Sequence, residues 1–264
     1  MTIFGFVDPA YVASGLGVGL LVGMTGVGGG SLMTPILVLL FGVHPVAAVG
    51  TDLLFAAVTK TVGMTVHGFN KTVDWTVTRW LATGSVPATI LTLWLLSRLQ
   101  ASTGASSKLV AVVLGVMLVA TAAALLLRRP LGRLIERRGS IRIGDRMGAG
   151  ATIALGALLG VVVSISSVGA GAIGMSALLL LHARRPIARL IGADIAHAVP
   201  LTLIAGIGHW LIGSVDFALL GTLLIGSIPG VIVGSAIGPR LPEVVLRVGL
   251  AVVLAIVGAK LLVA

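Results

Sequence analysis

The chain has 264 residues, of which 57% are hydrophobic and only 10% charged, with a formal net charge of +10 and no cysteine. A soluble domain carries roughly a quarter charged residues, so this composition, with a mean hydropathy of +1.16, describes an integral membrane protein. Without cysteine there are no disulfides, thiolate metal sites or cysteine nucleophiles. The positive charge lies mostly in loop arginines that no aromatics interleave, which argues against a nucleic-acid partner.

Apolar segments run over 10–42, 45–69, 76–97 and 107–127. After a polar stretch they resume over 147–181, 185–212, 216–238 and 243–263. Each offers about 20 or more apolar residues, enough to span a bilayer as a helix. No N-terminal run is followed by a small-residue cleavage site and a soluble domain, so no removable signal peptide is expected. The first segment of each set is interrupted, at 23–30 and at 164–172. The first interruption packs five glycines into eight residues (Gly23, Gly26, Gly28, Gly29, Gly30). Glycine costs a helix interior about 1 kcal/mol against alanine, so a break is expected there rather than only close packing. Non-helical backbone at membrane depth survives when it is buried in protein or lines a cavity.

The two sets match residue by residue. Gly28, Gly30 and Pro45 correspond to Gly169, Gly171 and Pro186 at an offset of 141. After one inserted residue, Gly50, Asp52, His67 and Asp74 correspond to Gly192, Asp194, His209 and Asp216 at 142. Gly84-Ser85-Val86-Pro87 recurs as Gly226-Ser227-Ile228-Pro229. The fold expected is therefore all-α: repeat 1 over 1–127, an Arg-rich linker over 128–146, and repeat 2 over 147–264.

If each interrupted segment is a hairpin of half-helices, each copy crosses the membrane three times and the copies are inverted. Lys71, Arg79, the seven arginines of 128–146, Arg184, Arg185, Arg189, Arg240 and Arg247 then share one side. Arg98, Lys108 and Lys260 take the other and Lys60 stays inside a span, a split of 14 to 3. Parallel copies would split 10 to 7. The positive-inside rule selects inversion, with the 128–146 loop cytoplasmic, beside anionic lipid heads, and both termini outside. Two full crossings per interrupted segment would give the same sides.

Charged residues inside a span are functional hypotheses by default. At 100° per residue, Lys60 lies about 80° and His67 about 60° around the helix from Asp52, one inward face. In repeat 2, Asp194, Thr202 and His209 take the equivalent positions, with His197 about 60° to the other side of Asp194. Asp52, His67, Asp194, His197 and His209 are candidates for gating or proton coupling. Asp52 and Asp194 also fit a role in fixing the helix starts near Pro45 and Pro186, and Lys60 a structural ion pair with Asp52. His44 and His182, in short loops before prolines, carry no expected chemistry.

The interruptions supply the other half of an anion site. Free N–H groups and the positive dipole end of a helix bind anions. Candidate substrate contacts are Thr25, Gly26, Gly28, Gly29, Gly30 and Ser31 in the first copy, and Ser166, Ser167, Gly169 and Gly171 in the second. Lys60 adds a cation, a set that suits a small oxyanion better than a metal ion. No zinc-protease or Walker motif is present, so no enzyme activity, cofactor or metal is expected.

Gly26-Val27-Gly28-Gly29-Gly30-Ser31-Leu32-Met33-Thr34-Pro35, followed by Val49-Gly50-Thr51-Asp52, resembles the first-repeat signature of the TauE/SafE family. Its members are sulfite-exporter-like permeases, also grouped as toluene-sulfonate uptake permeases. Gly169-Ala170-Gly171 with Ile191-Gly192-Ala193-Asp194 looks like its second-repeat version, with Ser166-Ser167 where the first copy has Thr25-Gly26. The resemblance implies ATP-independent transport of sulfite, sulfonates or related small anions across a bacterial inner membrane. The expectation is a multi-pass secondary transporter binding its anion at the midplane, a homo-oligomer being compatible with it. A passive anion channel and a non-transporting membrane scaffold are the competing readings.

Overall fold

The computed structural model describes residues 8–25, 30–66, 73–103, 106–138, 145–183, 185–237 and 243–263. Their regular structure is helical: α1 (Pro9–Thr25), α2 (Gly30–Leu39), α3 (Pro45–Val66), α4 (Trp75–Thr103), α5 (Ser106–Arg138), α6 (Asp145–Ser166), α7 (Ala172–Leu181), α8 (Ile187–Leu211), α9 (Phe217–Ile237) and α10 (Glu243–Val263). Six of these, α3, α4, α5, α6, α8 and α9, are long and apolar enough to cross a membrane, whereas α1 and α7 are shorter apolar helices. α5 runs on to Arg138, so the first half of the Arg-rich stretch continues a span as helix.

Packing pairs the helices in a regular way: α1 lies on α9, α4 on α6, α5 on α10, and α3 on α8. Lipid tails are as apolar as leucine, so such contacts depend on close van der Waals fit, which small residues allow. Glycines supply it here. A Cβ on Gly15, Gly19 or Gly23 of α1 would strike the backbone of Leu223, Ser227 or Val231 on α9. Gly156 and Gly160 of α6 meet Leu81 and Ser85 of α4 in the same fashion. Gly23 thus belongs to α1 and to its contact with α9.

Helix directions follow from these pairs. Along both α1–α9 and α4–α6, residue numbers rise together, so each pair is parallel. On α3–α8 they run opposite ways: Gly50 faces Ser214 and His209, while Leu54 faces Gly206. α5 and α10 are likewise antiparallel, with Gly115 against Leu262 and Gly258 against Val119. α4 lies parallel to α8, Ser85 meeting His197 and Leu93 meeting Gly208.

Two aspartates start equivalent helices. Asp74 Oδ1 accepts from the amides of Thr76 and Val77 at 3.2 Å, and Asp216 Oδ1 from that of Leu219 at 2.9 Å, as N-caps do. Asp74 also pairs with Arg185 in the turn between α7 and α8. The Arg185 guanidinium sits 5.9 Å from the Trp80 ring, on which His182 stacks at 6.1 Å. His182 Nε2 lies 2.8 Å from Thr152 Oγ1 near the start of α6. The far end of α7 therefore returns to the level at which α6 begins.

The innermost side chains include Phe55, Met33, Leu37, Leu53, Leu114 and Leu118. Ile90, Leu91, Trp94 and Leu95 of α4 face outward, as lipid-facing residues do.

Candidate functional site

Between α6 and α7 the chain leaves the helix over 167–171. Ser167 sits at φ 59° and Gly169 at φ 110°. The second value suits glycine, and the first is uncommon for a residue with a Cβ. Ser166 holds the turn together, its hydroxyl donating to the Val162 carbonyl (2.8 Å) and accepting from the Val168 amide (3.2 Å). Gly171 precedes α7 with near-helical backbone and no side chain caps that end. The carbonyl of Gly169 takes the amides of Ile173 and Gly174, both at 3.2 Å. In the first copy, α1 ends at Thr25 and α2 begins at Gly30. Gly26, Gly28, Gly29 and His67 lie outside the described residues, as do the side chains of Thr25 and Ser31.

Asp52 sits in the third turn of α3, fully buried. It does not cap its own helix. One oxygen, Oδ2, accepts from both the amide (3.3 Å) and the hydroxyl (2.5 Å) of Thr34 on α2. Oδ1 has no hydrogen-bond partner among the described residues. Ser167, from the turn before α7, lies with its buried hydroxyl beside the same carboxyl.

Two turns further along α3, partly buried Lys60 lies within electrostatic reach of Asp194 and Asp52. Asp194 is buried on α8, with Oδ1 against Gly174 in the first turn of α7. Each short helix therefore meets the aspartate of the long helix that follows it. His197, one turn beyond Asp194, is near Lys60 and bonds Ser85 of α4 through Nε2 at 2.8 Å. His209 stands apart, its Nε2–H donating to the Ser164 carbonyl at 2.8 Å and so tying α8 to the end of α6.

The structure thus sets Ser167 beside Asp52 and brings Lys60 within electrostatic reach of Asp52, Asp194 and His197. It leaves Ser166 inside the turn, and puts Thr202, the counterpart of Lys60, in a bond to its own helix at the Ala198 carbonyl. Thr34 and Ser85 complete the cluster. Ser85 carried one signal, its place in a motif that occurs twice.

An all-helical chain with several bilayer-length spans and charged side chains in its interior is a multi-pass membrane protein. The sequence model of the family described as sulfite exporter TauE/SafE matches residues 11–261. The "Probable membrane transporter protein YjnA" of Bacillus subtilis (strain 168) is 35% identical over 251 residues, covering 95% of this chain and 98% of that protein. No solved structure matches the chain significantly. The chain belongs to the TauE/SafE family of membrane transporters.

Proposed function

We propose that the chain is a secondary transporter of a small oxyanion, with sulfite, sulfonates and related organosulfur or organic-acid anions as its substrate class. The observation that carries this reading is Lys60, a cation on α3 within electrostatic reach of Asp52 on its own helix and of Asp194 and His197 on α8. Donors that suit an oxyanion lie at Asp52, within the electrostatic reach of Lys60: the Ser167 hydroxyl and the amide and hydroxyl of Thr34 on α2. The family description, sulfite exporter, supports the same class. Asp52, Asp194, His197 and His209 serve gating or coupling.

The architecture we infer is two inverted copies, 1–127 and 147–264, joined by the 128–146 linker. The antiparallel packing of α3 on α8, and of α5 on α10, supports it, because equivalent helices of parallel copies would point the same way. The return of α7 to the level of Thr152 supports a hairpin that enters and leaves on one side. The positive-inside rule then puts that side in the cytoplasm of a bacterial inner membrane.

Proteoliposomes loaded with labelled sulfite test the reading. Lys60→Ala is expected to abolish saturable flux while leaving the thermal unfolding profile intact, and undiminished flux would remove Lys60 from the mechanism. A thermal-shift screen with sulfite, sulfate, taurine and carboxylates identifies the preferred ligand, since binding stabilises the folded form.

A further inference from the structure

An anion site furnished with two carboxylates is at odds with itself. Asp52 already takes both donors that Thr34 offers, on the same oxygen. Asp194 lies against the first turn of the other short helix. With Lys60 within electrostatic reach of both, two aspartates and one lysine sum to a formal charge of −1 when His197 is neutral. An incoming oxyanion meets a negative site whose donors are occupied, and like charges repel strongly where the dielectric is low. Yet Asp52 is fully buried, with a third donor, the Ser167 hydroxyl, beside its carboxyl. The Thr34 amide and hydroxyl and the Ser167 hydroxyl therefore all converge on one buried carboxylate, as they would on a bound oxyanion.

We propose that the Asp52 carboxylate is a resident stand-in for the transported anion, displaced when Asp52 takes up the proton that travels with it. This rests on the anion-site reading above. The step balances simply. A proton from water adds to the Asp52 carboxylate, and its Coulombic hold on the Thr34 N–H and O–H is lost. Those two donors turn to the arriving oxyanion, and the new carboxyl O–H becomes a further donor. One proton and one monoanion enter together, so the formal charge of the site stays at −1. The charged or titratable groups facing Asp52 are Lys60 on its own helix and, through Lys60, Asp194 and His197 on α8. From α2 and from the turn before α7 it meets the hydroxyls of Thr34 and Ser167. Asp52 is thus specific for protonated entry, while Lys60 supplies the fixed counter-charge.

The test uses the full chain in detergent and methanesulfonate, whose charge does not change between about pH 5.5 and about pH 8, with sulfate as a second probe. Affinity for methanesulfonate is expected to fall about tenfold per pH unit in the upper part of that range, the signature of one linked proton. Asp52→Asn is expected to bind at every pH as the wild type does at the acid end. A dye measurement in weak buffer, on the wild type alone, is expected to count about one proton taken up per anion bound, which decides the matter even if Asp52→Asn does not fold. Binding without proton uptake, or a slope that survives in Asp52→Asn, overturns the role of Asp52 and leaves the anion site standing. Failure of both probes and of sulfite to bind at any pH overturns the anion site itself.

Discussion

Ser85 on α4 and His197 on α8 meet at 2.8 Å, hydroxyl to Nε2, and both are buried. Their counterparts at an offset of 142, Ser227 and Phe55, make no such bond, and the Ser227 hydroxyl is buried without a partner among the described residues. Ser85→Ala leaves an imidazole nitrogen orphaned, at a cost of about 1–3 kcal/mol. Ser227→Ala removes an already orphaned group and is expected to be neutral or stabilising. Thermal unfolding of the two variants in one detergent checks the order, and equal losses would contradict it.

Glycine substitutions sort by what faces them. A Cβ on Gly84 would land on the Ile153 backbone and one on Gly226 on that of Val12, whereas Gly221 faces open space. Gly84→Ala and Gly226→Ala are expected to lose about 1–3 kcal/mol, the usual cost of overpacking, because backbone cannot move aside as a side chain can. Gly221→Ala is expected to hold or gain stability. Size-exclusion profiles after graded heating read the difference.

Burial pushes the Asp74 carboxyl up, but hydrogen bonds from Arg185 and from the Val77 and Thr76 amides, with the guanidinium charge, outweigh it and hold the group below the usual carboxylate range. A carboxyl depressed in the fold contributes stability above its unfolded value of about 3.9, and that contribution is lost as pH falls through the folded value. Stability should therefore drop below about pH 4, and Asp74→Asn should flatten that limb at a neutral-pH cost of about 0.2–1 kcal/mol, since the pair is partly exposed. Asp74→Ala should cost about 1 kcal/mol more, because the α4 cap goes with the ion pair. Unfolding temperatures measured against pH for the three proteins decide it.

His182, in the same cluster, is held below its ordinary 6.5 by burial and then by Arg185, with Asp74 pulling the other way. The unfolded chain takes the proton first, so this group withdraws stability as pH falls from about 6.5 toward the folded value. Arg185→Gln should raise the titration midpoint of the His182 ring, read by NMR. An unchanged midpoint would mean that the guanidinium does not act on it.

The complete absence of native cysteine makes the topology directly measurable. Ala188→Cys and Ala218→Cys, both exposed at opposite ends of the α8–α9 pair, should label from opposite sides with a membrane-impermeant maleimide. Ala188→Cys should react only from the cytoplasmic side. Labelling of both from one side would refute the orientation.

The helical, multi-pass character of the chain was legible because a bilayer demands long apolar runs, and such runs can be counted. Helix starts at Trp75 and Phe217 were marked by Asp74 and Asp216, a local signal. The bond from Thr34 to Asp52 was not readable as a bond. It joins residues 18 apart on two different helices, and no periodicity reports which turn of α3 meets which turn of α2. His182 looked idle beside its proline and is in fact stacked and bonded, since its partners Trp80 and Thr152 come from distant helices. Lys60, Asp52 and Asp194 stood out because a charge in an apolar span is conspicuous, although the approach of Lys60 to Asp194 depends on the antiparallel packing of α3 on α8.

That α1 rests on α9, α6 on α4 and α5 on α10 bears on how the molecule is made. Neither half, released from the ribosome alone, has a mate for its own first helix. Helix α1 must wait in the translocation machinery or in lipid until α9 (Phe217–Ile237) has emerged. Expressing 1–138 and 145–264 as separate chains should therefore yield folded protein only when both are synthesised together.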